Sequence, residues 1–206
     1  MRPYRLSSCI FHKVGFTMAK YNYFDILEML SDIAYNAVNT ACSDKYTEKK
    51  ESFEVLRSKL DSTVLELERS LFGDFLPPLE RNNIAQYAHS LSDIVSSANE
   101  YISIRHKLCC PAGRFEEPSL CISLANEIRD ATSILRKIKK SGQMPDLKRF
   151  REYLRTAEEA HSADLSKVQG AVLPKAYETI ITYAGNLRAQ LSTTFDTLIE
   201  IMLNNI

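Results

Sequence analysis

The chain has 206 residues, of which 45% are hydrophobic and 25% charged, a composition that supports a packed core and excludes a disordered or fibrous class. Lysine plus arginine and aspartate plus glutamate both number 26, so no global field draws in nucleic acid, and any electrostatic partner has to be met by a local patch. With only 6 glycines and 7 prolines, turn chemistry is too sparse for a β-sandwich, and the long intervals between breakers favour long helices.

The chain begins "MRPYRLSSCIFHKVGFTMAK". His12 and Lys13 interrupt its apolar residues, which makes it a poor signal peptide, and no stretch reaches the roughly 20 apolar residues needed to span a membrane. Met18 followed by "AKYNYFDIL" reads as a more natural start. Residues 1–19 are expected to be an N-terminal extension without fixed structure, and residues 20–206 one helical domain. Apolar residues then recur at three- and four-residue steps, the mark of an amphipathic helix, in six successive runs. The first is Ile26, Leu30, Ile33, Ala37 and Ala41, and the second Phe53, Leu56, Leu60, Val64, Leu67 and Leu71. "GDFLPPLE" breaks the pattern, because proline donates no amide hydrogen and suits a first turn rather than a helix interior. The third run is Ile84, Ala88, Leu91, Val95, Ala98 and Ile102, closed by "CCPAGRFEEPS". The fourth is Leu120, Leu124, Ile128, Ala131, Leu135 and Ile138, closed by "KSGQMPD". The fifth is Leu147, Phe150, Leu154, Ala157, His161, Leu165 and Val168. After "GAVLP" comes the sixth, Ile180, Ala184, Leu187, Leu191, Phe195, Leu198 and Met202.

Six such stripes are marginal alone and have to face one another, which predicts an all-α, antiparallel six-helix bundle with short connections. The richest loop falls at residues 109–118, between the third and fourth helices, as in two pseudo-repeated three-helix units.

Five cysteines, Cys9, Cys42, Cys109, Cys110 and Cys121, are odd in number and form no C-x-x-C, so neither a disulfide framework nor a zinc site is indicated. The adjacent Cys109 and Cys110 could form a vicinal disulfide; free thiols in a reducing cytosol are the plainer reading. No G-x-S-x-G nucleophile elbow or glycine-rich phosphate loop occurs, and His12, His89, His106 and His161 have no evident serine or cysteine partner. Glu158 and His161 make one E-x-x-H, the spacing of di-iron bundles, but those need two such motifs and further glutamates. Since His161 lies on the apolar stripe, it is expected to be a buried, hydrogen-bonded histidine. Residues 136–155 carry eight bases, Arg136, Lys137, Lys139, Lys140, Lys148, Arg149, Arg151 and Arg155, against Asp146 and Glu152. This basic hairpin tip could touch anionic lipid headgroups or an acidic transporter loop, or be solvated surface whose lysines complement a helix C-terminus. No aromatic platform accompanies it, and no nucleic acid partner is expected.

"KYNYFDILEMLSDIAYNA" and "LDSTVLELERSLFGDFLPPLERNNIAQYAHSLSDI" resemble the divergent PhoU-like family of phosphate-transport regulators and accessory proteins of the low-affinity phosphate permease. The likeness runs from about Lys20 to the C-terminus and is best over the second and third helices, with Phe75, Pro77, Glu80 and Arg81 standing at the family's hinge. It implies a cytoplasmic, non-enzymatic regulator that contacts a phosphate permease or its regulatory proteins, with peripheral contact to the membrane surface or a homo-oligomer as further options. In that family carboxylates along the helix seams hold iron or other metals, for which E-x-x-x-D is suited because residues four apart share a helix face. Here the resemblance leaves Asp61, Asp93 and Asp164 as residual metal positions, while Arg57 and Ala160 replace expected glutamates and the acids near Gly185, Asn186, Arg188 and Ala189 are missing. So degraded a set is not expected to hold a cofactor, beyond residual divalent or ferric ion. The rival reading is a carboxylate bundle that binds iron, manganese or zinc, as a store or an enzyme.

Overall fold

The computed structural model describes residues 23–43, 50–73, 77, 79–108, 115–138, 144–170 and 176–205, without the side chains of 50–52 and 170. The expected extension at residues 1–19, the loop cysteines Cys9, Cys109 and Cys110, Phe75 of the hinge, and Lys139 and Lys140 of the basic tip lie outside the described residues.

Among the described residues there are six long helices and no strand: α1 Tyr23–Cys42, α2 Lys50–Gly73, α3 Arg81–Leu108, α4 Glu117–Ile134, α5 Leu147–Gly170 and α6 Ala176–Asn204. The fold is all-α, as the periodicity predicts. Every apolar residue of the third and sixth runs is buried. In α4 the run outlasts the helix. After Ile134 the chain tightens into i→i−3 bonds, Leu135 N–H to Thr132 O at 3.1 Å and Lys137 N–H to Ile134 O at 2.8 Å. Leu135 and Ile138 nonetheless stay in the core.

α1 departs most from its expected single stripe. It also buries Tyr23, Leu27, Ala34 and Val38, because α2, α3 and α4 all pack around it. α2 is the opposite case: Phe53, Leu60, Thr63, Leu67 and Ser70 are buried, Leu56, Val64 and Leu71 only half-buried, and the other described side chains of the helix face solvent.

The packing follows a repeated plan. In the first three helices α1 lies against α3 and α2 flanks both; in the last three α4 lies against α6 and α5 flanks both. The trios join like to like, α1 on α4 and α3 on α6. Buried polar ties fix the register. Tyr23 at the start of α1 donates its hydroxyl to Ser70 O near the end of α2 at 3.0 Å. Tyr87 of α3 meets the Thr132 hydroxyl of α4 at 2.6 Å, and Thr194 of α6 donates to Ser90 O of α3 at 3.3 Å. The fully buried Arg105 donates through Nη1 to Ala41 O and, at 3.1 Å, to Ser43 O. A cation at the C-terminal carbonyls of α1 satisfies groups that the helix leaves unpaired and complements its dipole.

Candidate functional site: an open seam in the first trio and its closed counterpart

The two flanking helices seat differently. α5 is sewn to its neighbours. Phe150 stacks on Phe195 of α6 with ring centroids 3.5 Å apart and planes 3° from parallel. His161 lies directly over Gly185 of α6, where a Cβ would come within 2.7 Å of its ring, so the glycine is what admits the imidazole. His161 Nδ1 sits 2.8 Å from Glu117 Oε2 at the start of α4. Arg188 of α6 donates through Nε to Glu117 Oε1 at 3.1 Å and through Nη1 to Glu158 Oε1 of α5 at 3.1 Å. Glu117 is 1% exposed. Burial raises its pKa, and its hydrogen bonds to, and the charges of, His161 and Arg188 pull the other way.

This knot explains the E-x-x-H. Both of its side chains are engaged, Glu158 by Arg188 and His161 by Glu117, so the spacing serves packing between helices. His161 is partly rather than fully buried, its side chain 20% exposed, and hydrogen-bonded as expected.

The α2–α3 seam is open by contrast. A groove of about 470 Å³ runs between the helices, floored by Phe53, Leu60 and Val64 of α2 and Val95 of α3. Its rims are Arg57, Asp61 and Glu68 on one side and His89, Ser92, Ser96 and Asn99 on the other. The α3 wall is polar but uncharged over Ser92 and Ser96, whose hydroxyls donate to Ala88 O and Ser92 O of their own helix at 2.9 and 3.2 Å. A second hollow of about 220 Å³ shares Phe53 and Asn99 with the first and continues it to His106 and Lys107. At 1.5 Å per residue, α3 covers roughly 27 Å between His89 and Lys107. Leu65 of α2, 45% exposed, also lines the groove, and elsewhere on α2 Val55 (67% exposed) and Phe72 (91%) add apolar surface.

The structure scatters the three residual metal positions. Asp61 is exposed on the groove rim, and Asp93 is exposed on α3 outside the groove lining. Asp164 is 1% exposed and accepts the Glu116 backbone N–H at 3.2 Å and Lys167 Nζ at 3.1 Å. It caps the start of α4 from α5, a packing duty that its sequence position does not disclose. Among the described residues no group of three or more His, Cys, Asp or Glu is arranged to hold a metal ion.

The basic tip is partly neutralised within the fold. Arg136 pairs with Asp25 and, at 3.7 Å, with Glu28 of α1. Arg149 pairs with Glu127 of α4 at 2.9 Å, and Arg155 with Glu159 one turn on at 2.5 Å. Lys137, Lys148 and Arg151 are exposed. Sequence reasoning missed Glu117 and Arg105 as interior groups. Both were marked: Glu117 shares a face with Cys121, four residues on, and Arg105 continues the Ala98–Ile102 stripe. Cys42 and Cys121 are buried free thiols; burial pushes the Cys42 thiol up to about 12 and Cys121 well above the usual range.

Among the described residues no helix is long and apolar enough to cross a membrane. In comparisons with known proteins the chain matches no family model and no curated protein.

Proposed function

We propose that the chain is a non-enzymatic, PhoU-like regulator or accessory protein of inorganic phosphate transport that works by docking a partner in the α2–α3 groove. The observation that carries the docking is the unequal seating of the flanking helices. The seam of α5 is closed by a stacked aromatic pair and a buried ionic knot, whereas the corresponding seam of α2 is left as a long apolar trough with polar rims. Such a trough suits an amphipathic helix, which would bury one stripe between α2 and α3 and leave its polar face in water. The phosphate assignment comes from the sequence resemblance, and it makes the partner a cytoplasmic segment of a phosphate permease or of a protein that regulates it. Regulation would follow from differential affinity: a segment bound better in one transport state biases the carrier toward that state.

The test is affinity capture from native membranes with the wild-type chain and with Ser96→Arg, an exposed groove residue where a guanidinium fills the trough without disturbing the core. Wild type should recover a phosphate permease or its regulator, the variant should not, and deleting the protein should change phosphate uptake. Capture of the same proteins by both forms, or unchanged uptake on deletion, refutes the reading.

A further inference from the structure

We infer that the α2–α3 groove is also a self-association site, in which two copies of the chain seat α2 against α2, antiparallel about a twofold axis. The dimer is argued from α2 and α3 alone; its consequence for regulation rests on the docking role proposed above.

The first argument is a pattern of charge. Glu54, Arg57, Asp61, Leu65, Glu68 and Phe72 follow one another at steps of three and four residues, so they share one face of α2, and all six are exposed. The first five line the two hollows of the groove, and Phe72 lies one turn beyond Glu68. A row so spaced can pack along a second helix, as the seam of a coiled coil does. Charge sets the direction. A parallel pair would set Arg57 on Arg57, Asp61 on Asp61 and Glu68 on Glu68. Run antiparallel, the row meets itself in reverse: Arg57 faces Glu68 of the second copy, Asp61 faces Leu65, and Glu54 faces Phe72. The twofold axis repeats each contact, which gives two Arg57–Glu68 pairs roughly 16 Å apart along the helix.

The second argument is Phe72. It is 91% exposed, more than any other large apolar residue described. The register that joins Arg57 to Glu68 brings it over Phe53 and Glu54 of the second copy, where the hollow of about 220 Å³ opens with Ile102 in its wall. An aromatic side chain set into an apolar hollow is the usual anchor of an interface. Charge and the exposed ring thus select the same register from separate observations, and Leu65 is covered beside the axis. A docked partner helix and a second copy need the same trough, so each excludes the other.

The experiment is sedimentation equilibrium of the purified full chain. A dimer is expected. Arg57→Glu and Glu68→Arg should each raise its dissociation constant at least about fivefold, since either change makes both ionic pairs repulsive, and the two combined should restore it, because the exchanged charges still face each other. Phe72→Ser should raise it at least about tenfold. All three positions are exposed, and circular dichroism verifies that the variants stay folded. A monomer throughout the micromolar range, single reversals without effect, or a double reversal that fails to restore association overturns the inference. The two proposals fail separately. A chain that stays monomeric yet captures a permease through Ser96 sinks the dimer and keeps the docking role. A dimer that obeys the charge exchange, with capture indifferent to Ser96→Arg, does the reverse.

Discussion

Gly185→Ala is expected to destabilise the protein, although alanine is the better helix former. In an unencumbered helix interior the change gains about 1 kcal/mol. Here the new methyl would lie 2.7 Å from His161 Cε1 and 3.2 Å from Nδ1, so the ring has to move. It is not free to do so, because Nδ1 is held 2.8 Å from the buried Glu117 carboxylate. Forcing a methyl into a packed site costs about 1–3 kcal/mol, and weakening a hydrogen bond to a charged group costs about 1.5–3 kcal/mol. Setting the propensity gain against these terms leaves a net loss of about 1.5–5 kcal/mol. The contrast that isolates the cause is the same substitution in a His161→Ala background. With the imidazole gone the clash vanishes, and Gly185→Ala should stabilise by about 1 kcal/mol. Urea unfolding followed by circular dichroism measures both. An equal cost in the two backgrounds, or a gain in the wild type, would refute the claim that the glycine is there for the histidine.

Asp164→Ala should cost about 1–3 kcal/mol, since it strips a buried carboxylate from the start of α4, while Asp61→Ala and Asp93→Ala on exposed surface should each stay within about 0.5 kcal/mol. Comparable midpoints for the three variants would contradict the placement of Asp164 as a cap. Because burial raises the Glu117 pKa in the folded state, the native protein binds this proton more tightly than the unfolded chain does, and its contribution to stability falls as pH rises above the ordinary carboxylate value. Wild type should therefore lose stability relative to Glu117→Gln on going from acid toward neutral pH; a relative gain would show that Arg188 and His161 outweigh desolvation. Native protein at pH 8 should leave Cys42 and Cys121 unalkylated by iodoacetamide, with both modified once urea unfolds the chain; peptide mapping that finds either labelled under native conditions would show that the thiols are accessible.

Much of the architecture was legible because burial along α3 and α6 obeys one period: a residue such as Leu91 or Leu191 faces the core for the same reason as its neighbours three and four positions away. The width of the buried face on α1 was not legible, since it depends on how many helices surround α1, a property of topology rather than of local pattern. The candidate groove was hidden for a related reason. Phe53, Leu60 and Val64 form an ordinary stripe, and only the distance kept by α3 turns part of it into a trough. The pairing within the basic tip was not legible either. Eight bases in twenty residues left an interaction patch and a solvated tip both open, and the partners of Arg136 and Arg149, Asp25 and Glu127, lie on helices α1 and α4 that the run of bases does not reveal. The aspartate positions carried over from the resemblance sort the same way, one into a cap and two onto exposed surface, according to neighbours contributed by other helices.

The thin seating of α2 gives the bundle a graded response to stress. Local opening free energy scales with the apolar contact that has to be broken, and α2 keeps only a narrow buried stripe against α1 and little against α3. Its amides should exchange with solvent deuterium before those of α3 and α6. The expected order of opening under stress is therefore α2 first, with the other five helices still assembled.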